Sequence, residues 1–240
     1  MLTFDAVTVD LGDFRLTATL AITEGERVAI IGPSGAGKST LLGVVAGFTP
    51  HTGHISWKED RIDRIAPGQR PVAVLFQDNN LFPHLTILQN VSLGIRTKGK
   101  LASSEQQAVR QAIARVGLSG YEDRKPAALS GGQQSRAALA RLFVQAKPVL
   151  LLDEPFSALG PALKDEMLDL VSEVADMSGA TVLMVTHDPV DALRLASRTI
   201  VVSDGQAAPP VPTKALLKSP PEHLASYLGR RIALGEGQET

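Results

Sequence analysis

The chain has 240 residues, of which 44% are hydrophobic, enough for one sizeable core or for one core with a smaller subdomain. The formal net charge is -1 and the charged residues are interspersed, so the charge pattern gives no support to a nucleic-acid groove or an acidic-lipid surface. The absence of cysteine excludes disulfides, thiolate metal sites and cysteine nucleophiles.

The first residues, "MLTFDAVTVDLGDF", are acidic and alternate in hydropathy, so we expect no signal peptide. No apolar run approaches the roughly 18 residues that a membrane helix needs. If the protein acts at a membrane, we therefore expect another chain to span it.

The N-terminal part of the chain is predicted to form β-strands. Within residues 2–31, "LTFDAVTV" and "FRLTATLAI" alternate, and "RVAII" is the continuous apolar run typical of a buried strand. A helix is expected over residues 40–46, followed by short strands at "GHISW" and "PVAVLF". The stretch 86–146 is rich in Ala, Gln, Leu and Arg and predicts a helical subdomain, in which Ser103 or Ser104 caps one helix and Gly117 ends it.

Strands then return at "PVLLLD", "ATVLMVTHD" and "RTIVVSDG", separated by helices that start near Pro161 and Asp188. This alternation is typical of a parallel sheet covered by helices. Beyond Gly205, proline pairs divide the chain into pieces too short for a second core. We expect one α/β domain over 1–240, built from a core over about 1–85 and 147–205, the helical subdomain and a C-terminal extension over 206–240.

A glycine-rich stretch, "GPSGAGKST", follows the apolar run "RVAII". Gly32, Gly37, Lys38 and Ser39 fit the pattern G-x-x-x-x-G-K-[ST], which predicts a phosphate loop whose backbone N–H groups surround a phosphate chain. The lysine would meet the β and γ phosphates, and the serine hydroxyl would ligate magnesium. The alternative is a glycine-rich turn that only joins a strand to a helix.

Two carboxylates follow the apolar run "PVLLL". Residues 149–152 carry Asp153 and Glu154 to the carboxyl end of a buried strand, where ligands bind in open α/β sheets. Asp153 is suited to hold magnesium, and Glu154 to orient or deprotonate the water that attacks the γ phosphate. Taken alone, the pair also fits an ordinary acidic strand end.

The stretch "LSGGQQSRAALAR" places Ser130, Gly131 and Gly132 before a helical run, at a helix N-terminus suited to an anion. Alone it fits an ordinary serine-capped helix. With the phosphate loop and "LLLDEP", it resembles the nucleotide-binding subunits of ABC transporters, over about residues 2–203. The resemblance implies the ABC ATPase fold: a P-loop core with a parallel sheet, an antiparallel β subdomain and a helical subdomain. It also implies hydrolysis of ATP to ADP and phosphate.

In that family, the "LSGGQ" signature of one copy closes the phosphate loop of a second copy, so the resemblance implies a homodimer. Gln77 in "VLFQDNN" matches the glutamine that reaches magnesium and the attacking water, and His187 in "MVTHD" matches the histidine that contacts the γ phosphate. The resemblance thus implies catalysis by Glu154, His187 and Gln77. Mg²⁺ is expected on Ser39, Gln77 and Asp153. ATP is expected to contact Gly32, Pro33, Ser34, Gly35, Ala36, Gly37, Lys38, Ser39, Thr40, Gln77, Ser130, Gly131, Gly132, Gln133 and Asp153.

Two positions depart from the family pattern. After "SAL" the family has an aspartate that helps align the dimer interface, whereas this chain has Gly160. Because glycine loosens the backbone and removes the charge, we expect looser coupling between the two ATP sites. The family also stacks adenine on an aromatic residue, and the equivalent position here is Leu11. Phe14 is the candidate replacement, and the alternative is apolar contact alone.

The stretches "RPVAVLFQDNNLFPHLTILQNVSLG" and "LLLDEPFSALGPALKDEMLDLV" are similar to the ATP-binding subunits of bacterial thiamine importers. This resemblance implies uptake of thiamine and its phosphate esters with an integral membrane permease and a periplasmic binding protein. It implies a peripheral location on the cytoplasmic face of the inner membrane, and no nucleic-acid partner.

Three alternatives stay open at this stage. Other small-solute importers share these motifs. A soluble ABC ATPase of DNA repair or translation would use the same site as a clamp, but such proteins usually carry long coiled-coil insertions or two fused ATPase domains, which this chain lacks. A P-loop kinase would not explain "LSGGQ".

Overall fold

The computed structural model describes residues 1–96, 99–221 and 224, and their contacts divide the chain into two units. Unit 1 comprises Met1–Pro71 and the described residues from Thr181 onward, and unit 2 comprises Val72–Ala180. The strands are β1 (Leu2–Leu11), β2 (Phe14–Ile22), β3 (Arg27–Ile31), β4 (Thr52–Trp57), β5 (Asp60–Arg61), β6 (Val72–Leu75), β7 (Val149–Asp153), β8 (Thr181–Val185), β9 (Arg198–Ser203), β10 (Gln206–Ala207) and β11 (Val211–Pro212). The α-helices are α1 (Lys38–Ala46), α2 (Ile87–Ser92), α3 (Ser103–Arg115), α4 (Gly131–Phe143), α5 (Pro161–Ser178), α6 (Pro189–Leu195) and α7 (Thr213–Lys218), and short 3₁₀ turns lie at Pro67–Gln69 and Pro126–Ala128.

Unit 1 contains an antiparallel ribbon in which β1 pairs with β2 on one side and with β4 on the other, and the short strand β5 pairs with β4. Alternate residues of β1, such as Leu2 and Phe4, are buried, as the hydropathy pattern predicts. The pairing shifts register between Phe4 and Val7, where Ala6 adopts a left-handed φ of 47°. The predicted antiparallel part is therefore present.

The second part of unit 1 is a parallel sheet in which β3 lies between β8 and β9. Their side chains are almost entirely buried, which explains why these strands read as continuous apolar runs. The short strand β10 runs parallel to β2 and antiparallel to β9, and so connects the ribbon to this sheet. Because β3 and β8 are parallel neighbours, Gly32 and Thr186 leave the sheet at the same edge.

Arg70 joins the C-terminal end of α1 to the segment after β5. The residue is only 4% exposed, and its guanidinium donates to the carbonyls of Val44 and Val45, at 2.8 and 2.9 Å, and to the carbonyl of Ile65 at 2.9 Å. The last carbonyls of a helix have no partner within the helix and attract a cation. Burial lowers the pKa of Arg70, and its charge is stabilised by these carbonyls.

We expect Arg70→Met to lower the free energy of unfolding by about 3 kcal/mol, because it removes a buried, charged donor from the carbonyls of Val44, Val45 and Ile65. Urea unfolding of the full chain measures this loss. Arg64→Met, the same change at an exposed position nearby, is the control and should stay within about 0.5 kcal/mol of the parent. Equal stability of the two variants would contradict the role of Arg70.

In unit 2 the parallel strands β6 and β7 accompany the helices. A buried cluster from α2, α3 and α4, including Ile87, Val91, Ile113 and Ala137, fills the space between those helices. Gly94 allows close contact after α2, because a Cβ there would lie 2.5 Å from the carbonyl oxygen of Arg141. The α/β class is therefore confirmed, whereas the domain boundaries near 85 and 147 stay a prediction.

The helix limits differ from the sequence prediction in two places. Helix α1 begins at Lys38, two residues before the expected 40–46. Ser103 and Ser104 do not cap α3: Ala102 is the N-cap residue, and the Glu105 carboxylate accepts its N–H at 2.7 Å. That prediction is wrong, because the glutamate supplies the acceptor and the serines lie inside the first turn. Gly117, with a left-handed φ of 71°, follows the end of α3 as expected.

The segment after Gly205 consists of short elements as far as residue 221. The rest of the expected C-terminal extension, apart from Leu224, lies outside the described residues. Among the residues that are described, no helix has both the length and the apolar character that crossing a bilayer requires.

Candidate functional site

The predicted phosphate loop follows the buried strand β3. Gly32 has a φ of 153°, and a Cβ on it would lie 2.0 Å from the backbone oxygen of Val202, so only glycine fits there. Gly37, with a φ of 104°, is the N-cap residue of α1. A Cβ at Gly37 would lie 2.6 Å from the ring of Phe14. Sterics at both ends of the loop therefore select glycine.

Lys38 is folded back over this loop. Its ammonium donates to the carbonyls of Gly32 and Pro33, both at 2.9 Å, and the residue is only 8% exposed. The backbone oxygens thus place a positive charge beside the first turn of α1, whose N–H groups carry partial positive charge. The loop combines a buried cation with a helix N-terminus, which is the arrangement that binds phosphate.

The remaining residues of the predicted phosphate loop differ in exposure. Ser34, Gly35 and Ser39 are exposed, whereas Pro33, Ala36, Gly37 and Thr40 are half-buried. The exposed hydroxyls therefore lie where a ligand can reach them. The loop offers its backbone and two serines to solvent while Lys38 stays covered.

A cavity of about 640 Å³ adjoins the phosphate loop in unit 1. Its lining comprises loop residues 33–36, the β1–β2 turn and the turn after β9, and it includes Phe14, Arg15 and Asp204. Leu11 is 50% exposed and is not among the described lining residues. Of the two candidates for adenine contact, Phe14 is the one beside the loop.

His187 follows the buried strand β8 and is exposed. The preceding residue, Thr186, fixes this segment: its N–H donates to the carbonyl of Ile30 at 3.2 Å, and its hydroxyl donates to the buried carboxylate of Asp191 at 2.9 Å. Asp188 caps α6 by accepting the N–H of Val190 at 3.0 Å. His187 therefore extends from an anchored turn at the same sheet edge as Gly32.

In unit 2, Gln77 and Asp153 leave the ends of two adjacent parallel strands. Leu75 of β6 lies opposite Leu152 of β7, so both chains leave the pair at the same edge. Gln77 is exposed and Asp153 is half-buried. Glu154, the next residue, has a φ of 45°, in the left-handed region that a glutamate rarely adopts. Such strain clusters at functional sites, which motivates a role for Glu154.

The "LSGGQ" stretch forms the start of α4. The Ser130 hydroxyl accepts the N–H of Gln133 at 3.3 Å, and the Gln133 side chain accepts the N–H of Ser130 at 3.0 Å. This reciprocal pair is a capping box. Gly132 lies against Leu163, whose side chain would be 2.2 Å from an added Cβ, whereas Gly131 has no described atom near that position. The turn is thus both capped and tightly packed.

Comparison with known proteins decides the family, because the model for the family described as "ABC transporter" matches residues 17–157. The chain belongs to the ABC transporter family. A thiamine import ATP-binding protein of Ruegeria sp. (strain TM1040) is 58% identical over 230 residues, covering 95% of this chain and 100% of the relative. The protein of the same name from Cereibacter sphaeroides is 56% identical over the same shares.

A solved structure of the ATP-binding cassette MJ0796 resembles this chain with a TM-score of 0.77 and 30% identity, covering 89% of this chain and 99% of that one. It shows a dimeric post-hydrolysis state bound to ADP and phosphate. The resemblance to ABC transporter subunits and the predicted ABC ATPase fold are therefore confirmed. As a member of this family, the chain is an ATP-hydrolysing transporter subunit.

Gly160, where the ABC family usually has aspartate, is the N-cap residue of α5. Its φ of -66° and ψ of 157° are ordinary for any residue. A Cβ there would meet no atom of the described residues within 4 Å. The backbone at this position does not require glycine, so the difference from the family is the missing carboxylate. Looser coupling between the two ATP sites stays a prediction.

Sequence reasoning missed several residues that organise this ABC cassette. The Thr186–Asp191 pair carried a weak signal, a polar residue at a strand end followed by an acidic first turn. Arg141 and Asn79 carried none, because their contacts join positions 56 to 62 residues apart.

Proposed function

We propose that this chain is the ATP-hydrolysing subunit of an importer for thiamine and its phosphate esters, energising uptake through a separate permease. The observation that carries the ATP-dependent part is the phosphate loop, in which Lys38 is buried against two carbonyls beside a helix N-terminus. The cargo is supported by relatives that match nearly the whole chain and are named thiamine import proteins. We propose that the chain is a single ABC ATPase domain with a core over about 1–85 and 147–205, a helical subdomain over 86–146 and a C-terminal extension over 206–240.

In this mechanism the loop from Gly32 to Thr40 binds the phosphates through its N–H groups, and Lys38 meets the β and γ oxygens. Glu154 orients the attacking water and accepts its proton. Gln77 and His187 hold the water and the γ phosphate in position, so the chain contributes positioning and charge rather than covalent chemistry.

Magnesium is proposed to bind Ser39, Gln77 and Asp153 together with phosphate oxygens. Within the described part of the chain, no group of three or more His, Cys, Asp or Glu side chains could hold a metal by itself. The proposed donors nevertheless fit, because Mg²⁺ prefers oxygen ligands and usually takes one or two carboxylates plus substrate phosphate. When bound, the ion neutralises charge on the β and γ phosphates.

The chain is proposed to act as a homodimer in which Ser130, Gly131, Gly132 and Gln133 of one copy contact ATP held by the other. This is supported by the dimeric MJ0796 cassette and by the capped N-terminus of α4, whose amide groups favour an anion. Other proposed partners are an integral permease and, indirectly, a periplasmic binding protein. The proposed location is peripheral, on the cytoplasmic face of the inner membrane.

The test is ATP hydrolysis and thiamine uptake in vesicles that hold this chain, a candidate thiamine permease and its binding protein. Thiamine-stimulated hydrolysis with uptake is the expected result. Hydrolysis that thiamine does not stimulate would discard the cargo and keep the ATPase, leaving another small solute as the substrate. Transfer of phosphate to a small acceptor without release of free phosphate would overturn the ATPase assignment and favour a kinase.

Adenine is proposed to stack on Phe14, which lines the cavity beside the phosphate loop. Stacking of a base on an aromatic ring contributes roughly 1 to 3 kcal/mol. We therefore expect Phe14→Ala to raise the Kd for ATP by about 5- to 150-fold. Calorimetric titration measures this change. Leu11→Ala is the matched control and should leave the Kd near the parent value; a larger effect of Leu11→Ala would reverse the assignment.

A further inference from the structure

The segment after Gln77 makes a tight turn in unit 2. The N–H of Asn79 donates to the carbonyl of Phe76 at 3.1 Å, and the N–H of Asn80 donates to Asp78 at 2.6 Å. Asn79 and Asn80 both adopt left-handed φ values, 57° and 47°. Asparagine tolerates this region better than most residues, but two such residues in succession still carry a backbone cost. Support from outside the turn offsets that cost.

Arg141 of α4 supplies that support. Its guanidinium donates to the carbonyl of Asn79 and to the carbonyl of Asn80, both at 2.7 Å. Burial lowers the pKa of Arg141, and hydrogen bonds from a charged, partly buried donor are stronger than those between neutral groups. The planar guanidinium of arginine presents several N–H donors in a fixed fork and can bind two adjacent carbonyls at once. The ammonium of lysine is a compact charge on a flexible side chain and holds such a pair less firmly.

A second contact joins the same turn to the same helix. The Asn79 side-chain amide donates to the Ser135 hydroxyl at 3.2 Å, and that hydroxyl donates to the carbonyl of Gly131 at 3.2 Å. The turn is therefore tied to α4 at Ser135 and, nearly two helical turns further along, at Arg141. We call Arg141, Ser135, Asn79 and Asn80 the α4 clasp.

The other end of the loop is also fixed. Asn90 of α2 is fully buried, accepts the N–H of Phe82 at 2.8 Å and donates to the carbonyls of Phe82 and Leu85 at 3.1 and 3.2 Å. On the strand side, β6 is held in register with β7. Gln77 thus lies between the paired strand and the α4 clasp, with only Asp78 separating it from Asn79.

From this geometry we infer that Arg141 is a positioning residue for Gln77: by holding the carbonyls of Asn79 and Asn80, it fixes the direction in which Gln77 leaves β6. The inference rests on the proposed function, in which Gln77 acts in ATP hydrolysis. The consequence is that α4, which begins with the "LSGGQ" stretch, also sets the position of Gln77 after strand β6.

The test is a double-mutant cycle with Gln77→Ala and Arg141→Ala, measuring kcat and KM for ATP in the permease-bound complex. Misplacement of a positioned group can cost up to about 10²-fold, so we expect Arg141→Ala to lower kcat roughly 10- to 100-fold with KM little changed. In the Gln77→Ala background, the same change should cost less than about twofold. Arg141→Lys should show the same coupling with a smaller loss.

Arg136→Ala is the control. Arg136 lies on the same helix and donates to the carbonyl of Val116 at 2.9 Å while pairing with Glu166, so its loss perturbs α4 away from the clasp. Its effect on kcat should be the same in both Gln77 backgrounds. Full additivity of Arg141→Ala with Gln77→Ala would overturn the inference and leave the proposed function in place.

Amide hydrogen exchange gives a readout that does not depend on hydrolysis. Arg141→Ala should speed exchange over residues 78–82, whereas Arg136→Ala should not. Unchanged exchange in Arg141→Ala would overturn the α4 clasp, and with it the inference, but would leave the proposed function in place. Parent protein that fails to hydrolyse ATP while exchange responds as expected would overturn the proposed function, and with it the catalytic purpose of the positioning.

Discussion

Glu154→Gln is expected to lower ATP turnover by about 10²- to 10⁴-fold while ATP still binds and still draws two copies together. A positioned general base contributes a rate factor of this size. Glutamine keeps the length and shape of the side chain and removes only the charge and the basicity. Because the residue adopts a left-handed φ of 45°, a conservative side chain also avoids any further change in backbone cost.

Phosphate release measures the rate, and light scattering with and without ATP measures dimer formation. The control is Glu173→Gln, the same neutralisation at an exposed position of α5, which should turn over ATP at the parent rate. Undiminished hydrolysis by Glu154→Gln would end its assignment as the catalytic base. Loss of both hydrolysis and ATP binding would instead show that Glu154 serves the structure of the site.

Gly32→Ala is expected to abolish measurable ATP binding and to lower the free energy of unfolding by about 3 kcal/mol or more. The new methyl group would lie 2.0 Å from the backbone oxygen of Val202, and backbone cannot move aside as a flexible side chain can. Either β9 or the loop must shift, and a shift of the loop also removes a carbonyl that Lys38 uses. Calorimetric titration and urea unfolding measure the two effects.

The matched control is Gly35→Ala in the same loop. Gly35 has a φ of 77°, so alanine is strained there by roughly 1 to 2 kcal/mol, but no atom of the described residues lies within 4 Å of the added Cβ. We expect Gly35→Ala to be the milder variant in both measurements. If the two variants proved equally damaging, backbone conformation rather than the contact with Val202 would explain the requirement for glycine.

The sequence was sufficient for those features that depend on local pattern. Apolar runs located β3, β7 and β8, and alternation located β1 and β2, because burial on one or both faces dictates the spacing of apolar residues. The phosphate loop and the start of α4 were likewise predictable, since both need glycine and a small polar residue at fixed spacing. Family membership followed from the order of those motifs along the chain.

Features that depend on contacts between distant residues were not predictable. Nothing around Arg141 indicates that it holds the carbonyls of Asn79 and Asn80, and nothing around Arg70 indicates that it meets the last turn of α1. Arginine is common on exposed helix faces, so its presence carries no information about burial. The prediction of the α3 N-cap was wrong for a related reason. The Glu105 carboxylate accepts the N–H of Ala102, so Ala102 is the N-cap residue and the serines that were expected to cap the helix lie inside its first turn.

The backbone at position 160 accepts any residue type, not only glycine. Its dihedral angles are those of any residue before a helix, and the space around it is open among the described residues. A Cβ can therefore be added at position 160 without displacing any described residue. Gly160→Asp would restore the family's carboxylate at no backbone cost, so the charge missing from this position can be tested by itself.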